Sequence, residues 1–329
     1  MKNKRLNIAI VAGGDSSERM ISLQSAENIL SNLDSRLYEA QIVEISKAEW
    51  KVKESNDRYW PIDRNDFTWK PNGVVRRFDA VINSIHGRPG ENGTLPAYFD
   101  LIGLPYTGCR PFCSSLTFSK FHCKQFLRHS GIQMADSLMI RQGQAVDTDK
   151  IIEQIKLPCF VKPNNGGSSC GTSKVTKADE LMPALEQAFL EDREVLIESF
   201  LPGTEVTCGL FKTGTESQVF PITEIVSKNS FFDYQAKYTA GVSDEITPAR
   251  IPAETARSVQ DLSSFIYDVL DCRGLVRVDF ILVEGEPWFL EVNTVPGMSD
   301  RSIIPQQAAI AGLSLDKLFS ILIQDAMTR

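Results

Sequence analysis

The sequence predicts an α/β chain of three successive units, the last of α+β character, and three observations carry that expectation. The chain opens as strand, glycine turn and helix: an apolar run over 8–12 stops at Gly13-Gly14, and Ser16-Ser-Glu18 supplies capping residues for a helix to about 33. It closes with a strand-like hairpin over 276–283 and 287–293, followed by helical stretches over 303–311 and 315–327. Its 329 residues are also too many for one ordinary core.

The elements between follow in order. A strand is expected over 38–44, and a polar, tryptophan-containing stretch to about 77 carries no clear period. A buried strand over 78–85 ends at the turn-rich His86-Gly-Arg-Pro-Gly-Glu-Asn-Gly93. In open α/β sheets, ligands gather beyond such carboxyl ends. The first unit spans 1–107. A helix over 117–129 leads into the middle unit, 108–198, with strands over 157–163, to 175 and over 195–198, and a helix over 179–191. The last unit, 199–329, has strands over 205–211 and 217–225, a polar loop over 226–245, and a helix over 253–270 before the hairpin.

Composition removes several function classes. No stretch approaches the roughly 20 apolar residues that span a bilayer, and the apolar run after the basic start is too short for a signal-peptide core. A cytoplasmic protein is expected. A net charge of -7 argues against nucleic acid or an anionic membrane as the main partner. Seven cysteines without a C-x-x-C pair read as reduced, mostly buried thiols. Three dispersed histidines do not make a histidine-based zinc site, so a hard metal ion held by oxygen is the expectation.

The hairpin is the most informative segment. Centring its turn on Gly285 sets Asp279 opposite Glu291 and Arg277 opposite Asn293, all on one face by period-2 alternation. Val278, Phe280, Leu290 and Val292 then face the other way. Two carboxylates and an amide carbonyl suit Mg²⁺, and an adjacent arginine suits a transferring phosphoryl group or an oxyanion. The bland alternative is a solvated face of cross-strand ion pairs, against which the Asn293-Thr-Val-Pro-Gly-Met298 continuation counts. In Lys162-Pro-Asn-Asn-Gly-Gly-Ser-Ser-Cys-Gly171, glycines and serines can turn donors toward an anion beside a lysine. That run also fits a plain flexible turn. Lys120 and Lys124, one helical turn apart, read by themselves as a solvated basic face. Glu198 fits either an adenine hinge or an edge position, and Glu18 a helix N-terminal carboxylate. Taken singly, His86 reads as a strand-end histidine, Lys237-Tyr238 as a surface pair and Ser302 as a helix cap.

Taken in order, these segments resemble the D-alanine–D-alanine ligase family of the ATP-grasp superfamily. The resemblance runs from Ile8 to about Ser314. It rests on Gly13-Gly-Asp-Ser-Ser-Glu-Arg19, the His86–Thr94 loop, Pro105-Tyr-Thr-Gly108, Val161-Lys-Pro163 with Gly167-Ser-Ser-Cys-Gly171, Phe232-Asp-Tyr-Gln-Ala-Lys-Tyr238, Arg277-Val-Asp279 and Glu291-Val-Asn-Thr-Val-Pro-Gly-Met298. It implies the three-domain ATP-grasp architecture: an N-terminal open parallel-sheet domain and two ATP-clasping domains. It implies ATP-dependent joining of two D-alanines through an acyl phosphate, for peptidoglycan precursor synthesis, by a homodimer.

The roles it implies are specific. Lys120 and Lys162 hold phosphates, with Ser168 and Lys237 near them, and Glu198 and Glu205 hold the adenine and ribose end. Asp279, Glu291 and Asn293 hold two Mg²⁺, for which Mn²⁺ can substitute. Arg277 and the Gly297 N–H stabilise the tetrahedral intermediate. Glu18, His86 and Ser302 position the first D-alanine, and Glu18, Ser168 and Tyr238 join the loops over the site. The loop 226–245 is the expected lid, and Tyr238 goes with an amine rather than a hydroxyl acceptor. The chain departs from the usual family residues at Gly166, Cys170, Ser119 and Arg301. Ligation of another pair, such as D-alanyl-D-lactate or an L-amino-acid dipeptide, and a silent nucleotide-binding regulator are the alternatives.

Overall fold

The computed structural model describes residues 5–54, 58–227 and 243–328. Its strands there form three sheets. The first begins with β1 (Leu6–Gly13), crosses through α1 (Arg19–Asn32) and returns as β2 (Tyr38–Ile45), parallel to β1. Alternate β1 residues enter two cores. Ile8 and Ile10 pack with α1, while Ala9 and Val11 face a cluster containing Phe67, Trp69 and Phe99. A strand buried on both faces must be apolar throughout, which explains the unbroken run.

The stretch without a readable period forms β3 (Trp50–Lys53), β4 (Tyr59–Asp63) and β5 (Thr68–Trp69), an antiparallel extension of the same sheet. Aromatic packing holds it: Trp50 meets Tyr98 edge-on at 5.1 Å and Trp69 stacks on Phe78 at 6.4 Å. β6 (Ala80–Asn83) pairs parallel on the other side of β1, completing the order β5-β4-β3-β2-β1-β6. The unit is therefore parallel only at its centre. α2 (Thr94–Ile102) follows the loop that leaves β6.

The helix expected over 117–129 is two helices, α3 (Pro111–Phe118) and α4 (Lys120–Arg128), broken at extended Ser119. The second sheet holds β7 (Ser137–Arg141), β8 (Cys159–Pro163), β9 (Ser173–Val175) and β10 (Glu194–Ser199), antiparallel in the order β7-β10-β8-β9. α5 (Thr148–Ile155) and α6 (Leu181–Phe189) cover it through Ile151, Ile155, Leu181 and Leu185.

The third sheet contains β11 (Thr204–Lys212), β12 (Ser217–Val219), β13 (Thr223–Ser227), β14 (Ser243–Ile246), β15 (Gly274–Val283) and β16 (Glu286–Asn293). The strand expected over 217–225 is thus two strands. The end of the expected 226–245 loop is β14, paired with β13. α7 (Ala253–Val269) packs on this sheet, and α8 (Ile303–Ile310) and α9 (Leu315–Thr328) follow. α9 returns to the beginning of the chain: Leu318, Phe319 and Ile323 share a core with Ile8, Ile10 and Ile82.

Candidate active site

The hairpin pairs Asp279 with Glu291 and Arg277 with Asn293, as alternation predicts, although its turn is Glu284-Gly285 rather than centred on Gly285. Both turn residues have positive φ, 52° and 87°, as a tight two-residue hairpin requires. A register shift beyond Asp279, opposite Phe289 to Glu291, restores the pairing at the site. The same shift moves Leu290 onto the cleft wall and leaves Phe289 in the core, correcting the expectation that Leu290 faces away.

Asp279 is buried and clamped. Arg277 donates Nε to Oδ1 at 2.8 Å and Nη2 to Oδ2 at 2.7 Å, and Asn293 Nδ2 donates to Oδ2 at 2.9 Å. The Thr207 hydroxyl on β11 donates to Oδ1. Burial works against the Arg277 charge, but Asp279 outweighs it and raises the guanidinium pKa further. Behind Thr207, fully buried Gln307 of α8 donates to the Thr207 carbonyl and to the Thr223 hydroxyl, each at 3.0 Å.

The loop 164–172 forms the facing wall. Ser168 and Ser169 take left-handed φ of 53° and 56°, conformations that strain a non-glycine residue. There the Ser168 hydroxyl donates to Glu18. A Cβ on Gly167 would stand 2.8 Å from both Glu18 carboxylate oxygens, so glycine alone permits this approach. Lys120 Nζ donates to the Gly166 carbonyl at 2.6 Å and pairs with Glu291 Oε2 at 3.2 Å. Fully buried Asn164 fixes the start of α4. It accepts from the backbone N–H groups of Lys120, at 3.1 Å, and Phe121, at 2.8 Å, and donates to Ser119 Oγ at 2.9 Å. Ser119 in turn accepts from His122 N, capping the helix.

Lys124 is not on a solvated face. It is fully buried and paired with Glu198, whose other oxygen pairs with Lys162. Burial would raise the Glu198 carboxyl, but the two lysines outweigh it and hold the pKa at about 2. For Lys124, burial and repulsion from Lys162 outweigh the attraction of Glu198, and its pKa falls.

The His86 loop closes the substrate end. Buried His86 accepts at its carbonyl from Ser16 Oγ at 2.9 Å, and the Gly87 N–H donates to Glu91 Oε2 at 2.6 Å. Burial first, then the neighbouring Glu18, push the Glu91 carboxyl up to about 8. Ser302 stands before α8 without capping it; its Oγ accepts from Ser299 N at 3.0 Å and would lie 2.8 Å from a Cβ on Gly297. α1 anchors that turn, with Asn28 Nδ2 donating to the Met298 carbonyl at 2.6 Å.

These walls enclose a cleft of about 1350 Å³. Glu18, Lys120, Lys162, Ser168, Glu198, Glu205, Arg277, Asp279 and Glu291 line it, as do Val226 and Glu245, the ends of the expected lid. His86, Asn293, Gly297 and Ser302 stand behind the lining. Lys237 and Tyr238 lie outside the described residues. Sequence reasoning assigned no role to Asn164, Thr207, Gln307 or Glu91. Thr207 alone left a trace, a polar residue inside the apolar strand Val206–Leu210.

Comparison with known proteins places this cleft in a family. The D-ala D-ala ligase N-terminus model matches residues 7–109 and the D-ala D-ala ligase C-terminus model residues 126–324. A D-alanine–D-alanine ligase of Phocaeicola vulgatus is 50% identical over 319 residues, 97% of this chain and 98% of that protein. The crystal structure of the VanG D-Ala:D-Ser ligase from Enterococcus faecalis superposes with a TM-score of 0.87 at 32% identity, covering 98% of this chain and 100% of the other. A Bacillus anthracis D-alanine–D-alanine ligase complexed with ATP gives 0.78 at 29% identity, with 98% of each chain covered.

Proposed function

The chain belongs to the D-alanine–D-alanine ligase family, and from that premise we propose that it joins two D-alanines through a D-alanyl phosphate. The observation that carries this reading is the meeting of Arg277, Asp279 and Glu291 of the hairpin, the Gly/Ser loop and Glu18 in one cleft. The carboxylate of the first D-alanine attacks the γ-phosphorus of ATP, and the bond to the ADP oxygen breaks. The amine of the second D-alanine then attacks the acyl carbon, phosphate leaves, and the amine's proton passes to solvent or phosphate.

In this reading Lys120 and Lys162 hold the phosphates, with Ser168 beside them, and Glu198 and Glu205 take the adenine and ribose. Glu18 receives the ammonium of the first D-alanine, which His86 and Ser302 help to position. Arg277 and the Gly297 N–H receive the negative charge of the tetrahedral intermediate. Asp279, Glu291 and Asn293 offer only oxygen donors of the kind hard dications take, which fits Mg²⁺, with Mn²⁺ as a substitute. Such ions, when bound, neutralise phosphate charge. The proposed division at 107 and 198 separates the sheets only in outline, since β10 runs to Ser199, α3 and α4 pack into the core of the third sheet and α9 into that of the first.

The reading extends to a cytoplasmic homodimer supplying peptidoglycan synthesis. Among the described residues no helix is long and apolar enough to cross a membrane. The likeness to a D-Ala:D-Ser ligase makes the acceptor the point to test. ADP release with Mg-ATP should require D-alanine, and mass analysis should find D-alanyl-D-alanine even with D-serine or D-lactate in equal amount. A mixed product dominating would overturn the acceptor assignment, and Tyr238→Phe should raise the D-lactate share. Absence of D-alanine-dependent ADP release would overturn the reaction itself.

A further inference from the structure

Away from the cleft, the fold gathers three cysteines far apart in sequence. Cys109 precedes α3, Cys113 lies on it, and Cys272 sits between α7 and β15. Their sulfurs all lie within 4.8 Å of one another, and Cys113 Sγ is 3.7 Å from Cys272 Sγ. All three are buried, and none lines the ATP cleft. The Arg273 N–H points at Cys109 Sγ at 3.3 Å, the kind of donor that stabilises a metal-bound sulfur.

We propose that Cys109, Cys113 and Cys272 form a three-sulfur site for a soft trivalent ion, of which arsenic(III) is the type. Sulfurs about 2.3 Å from a common ion stand between about 3.4 and 4.0 Å apart, depending on how pyramidal the site is, which brackets the 3.7 Å between Cys113 and Cys272, and the remaining spacings stay within 4.8 Å. A disulfide instead requires about 2.05 Å, so the pair stands at metal-ligand rather than bonding distance. Among the described residues no histidine or carboxylate joins the group, which leaves zinc without its usual fourth ligand.

Charge selects the oxidation state. Cys109, Cys113 and Cys272 all belong to the apolar core that backs the third sheet. Three thiolates around a monovalent or divalent ion would leave net negative charge in an apolar core. With arsenous acid the exchange is neutral. Three arsenic–sulfur bonds form, three arsenic–oxygen bonds break, and each hydroxyl leaves as water with a thiol proton, without redox change. The product ties the segment before α3 to the turn before β15.

Native mass spectrometry of the full-length chain, treated with arsenite under a thiol-free reductant and desalted, tests this. The expected result is one arsenic per chain with three protons lost, together with a raised melting temperature. Cys113→Ala or Cys272→Ala should weaken retention by about 10-fold or more, whereas Cys170→Ser should not. No retained arsenic, fewer than three protons lost, loss in Cys170→Ser, or Zn²⁺ displacing arsenite in competition would each overturn the proposal. The proton count needs only the wild-type chain, so it decides even if the alanine variants fail to fold.

Discussion

Asp279 and Glu198 are both buried carboxylates on the cleft wall, yet they are held in opposite ways. Asp279 has one cation, the rigid guanidinium of Arg277, and two neutral donors, Asn293 and Thr207. Glu198 has two ammonium groups, Lys124 and Lys162. The first arrangement fixes direction, because a planar fork and strand backbones allow one geometry. The second leaves an excess positive charge around Lys162, the lysine assigned to the phosphates. The difference teaches that one carboxylate is built for orientation and the other for charge.

Removing each carboxylate charge breaks that comparison. Asp279→Asn should lower kcat by about 10²–10³-fold while circular dichroism and melting stay near wild type, since an amide keeps much of the packing. Near-normal turnover would mean that the hairpin does not carry the chemistry. Glu198→Gln leaves two buried lysines without a counter-charge and should cost about 3–5 kcal/mol in urea unfolding. Lys124→Met should cost less, because Lys162 still pairs with Glu198. Equal losses would show that the two lysines act as one unit.

The Glu198 charge also has a pH signature. With its folded pKa held at about 2, its stabilisation is present above the ordinary glutamate range and fades as pH falls towards 2. Glu91 has the reverse sign. Its folded pKa is raised to about 8, so its contribution is complete below the ordinary value and is lost as pH rises towards 8. Glu91→Gln should therefore flatten the fall in wild-type stability between about pH 4.5 and 8, measured by unfolding at several pH values. An unchanged slope would place the carboxyl in a wetter setting.

The cleft was legible where chemistry and local period coincide. The pairing of Asp279 with Glu291 follows from alternation alone, though it survives because a bulge offsets a turn centred elsewhere. The Gly/Ser loop was legible as an anion cradle, but the approach of Gly167 to Glu18 joins segments about 150 residues apart. Lys124 was misread because helical spacing gives a side chain a direction and says nothing of what covers it. The aromatic extension β3–β5 escaped for a related reason: its short strands are held by Tyr98, Phe78 and Phe99 from outside the segment.

By itself, the sequence determined the opening strand and helix, the hairpin face and the order of the family's motifs, since each depends on neighbours a few residues apart. Only the tertiary structure decided that α9 completes the first core, that Lys124 meets Glu198, that Thr207 and Gln307 back Asp279, and that three distant cysteines converge. Those outcomes depend on which surfaces exclude water together. Burial sets whether a charge is paired, shifted or solvated, and burial is a property of the packed chain rather than of any segment.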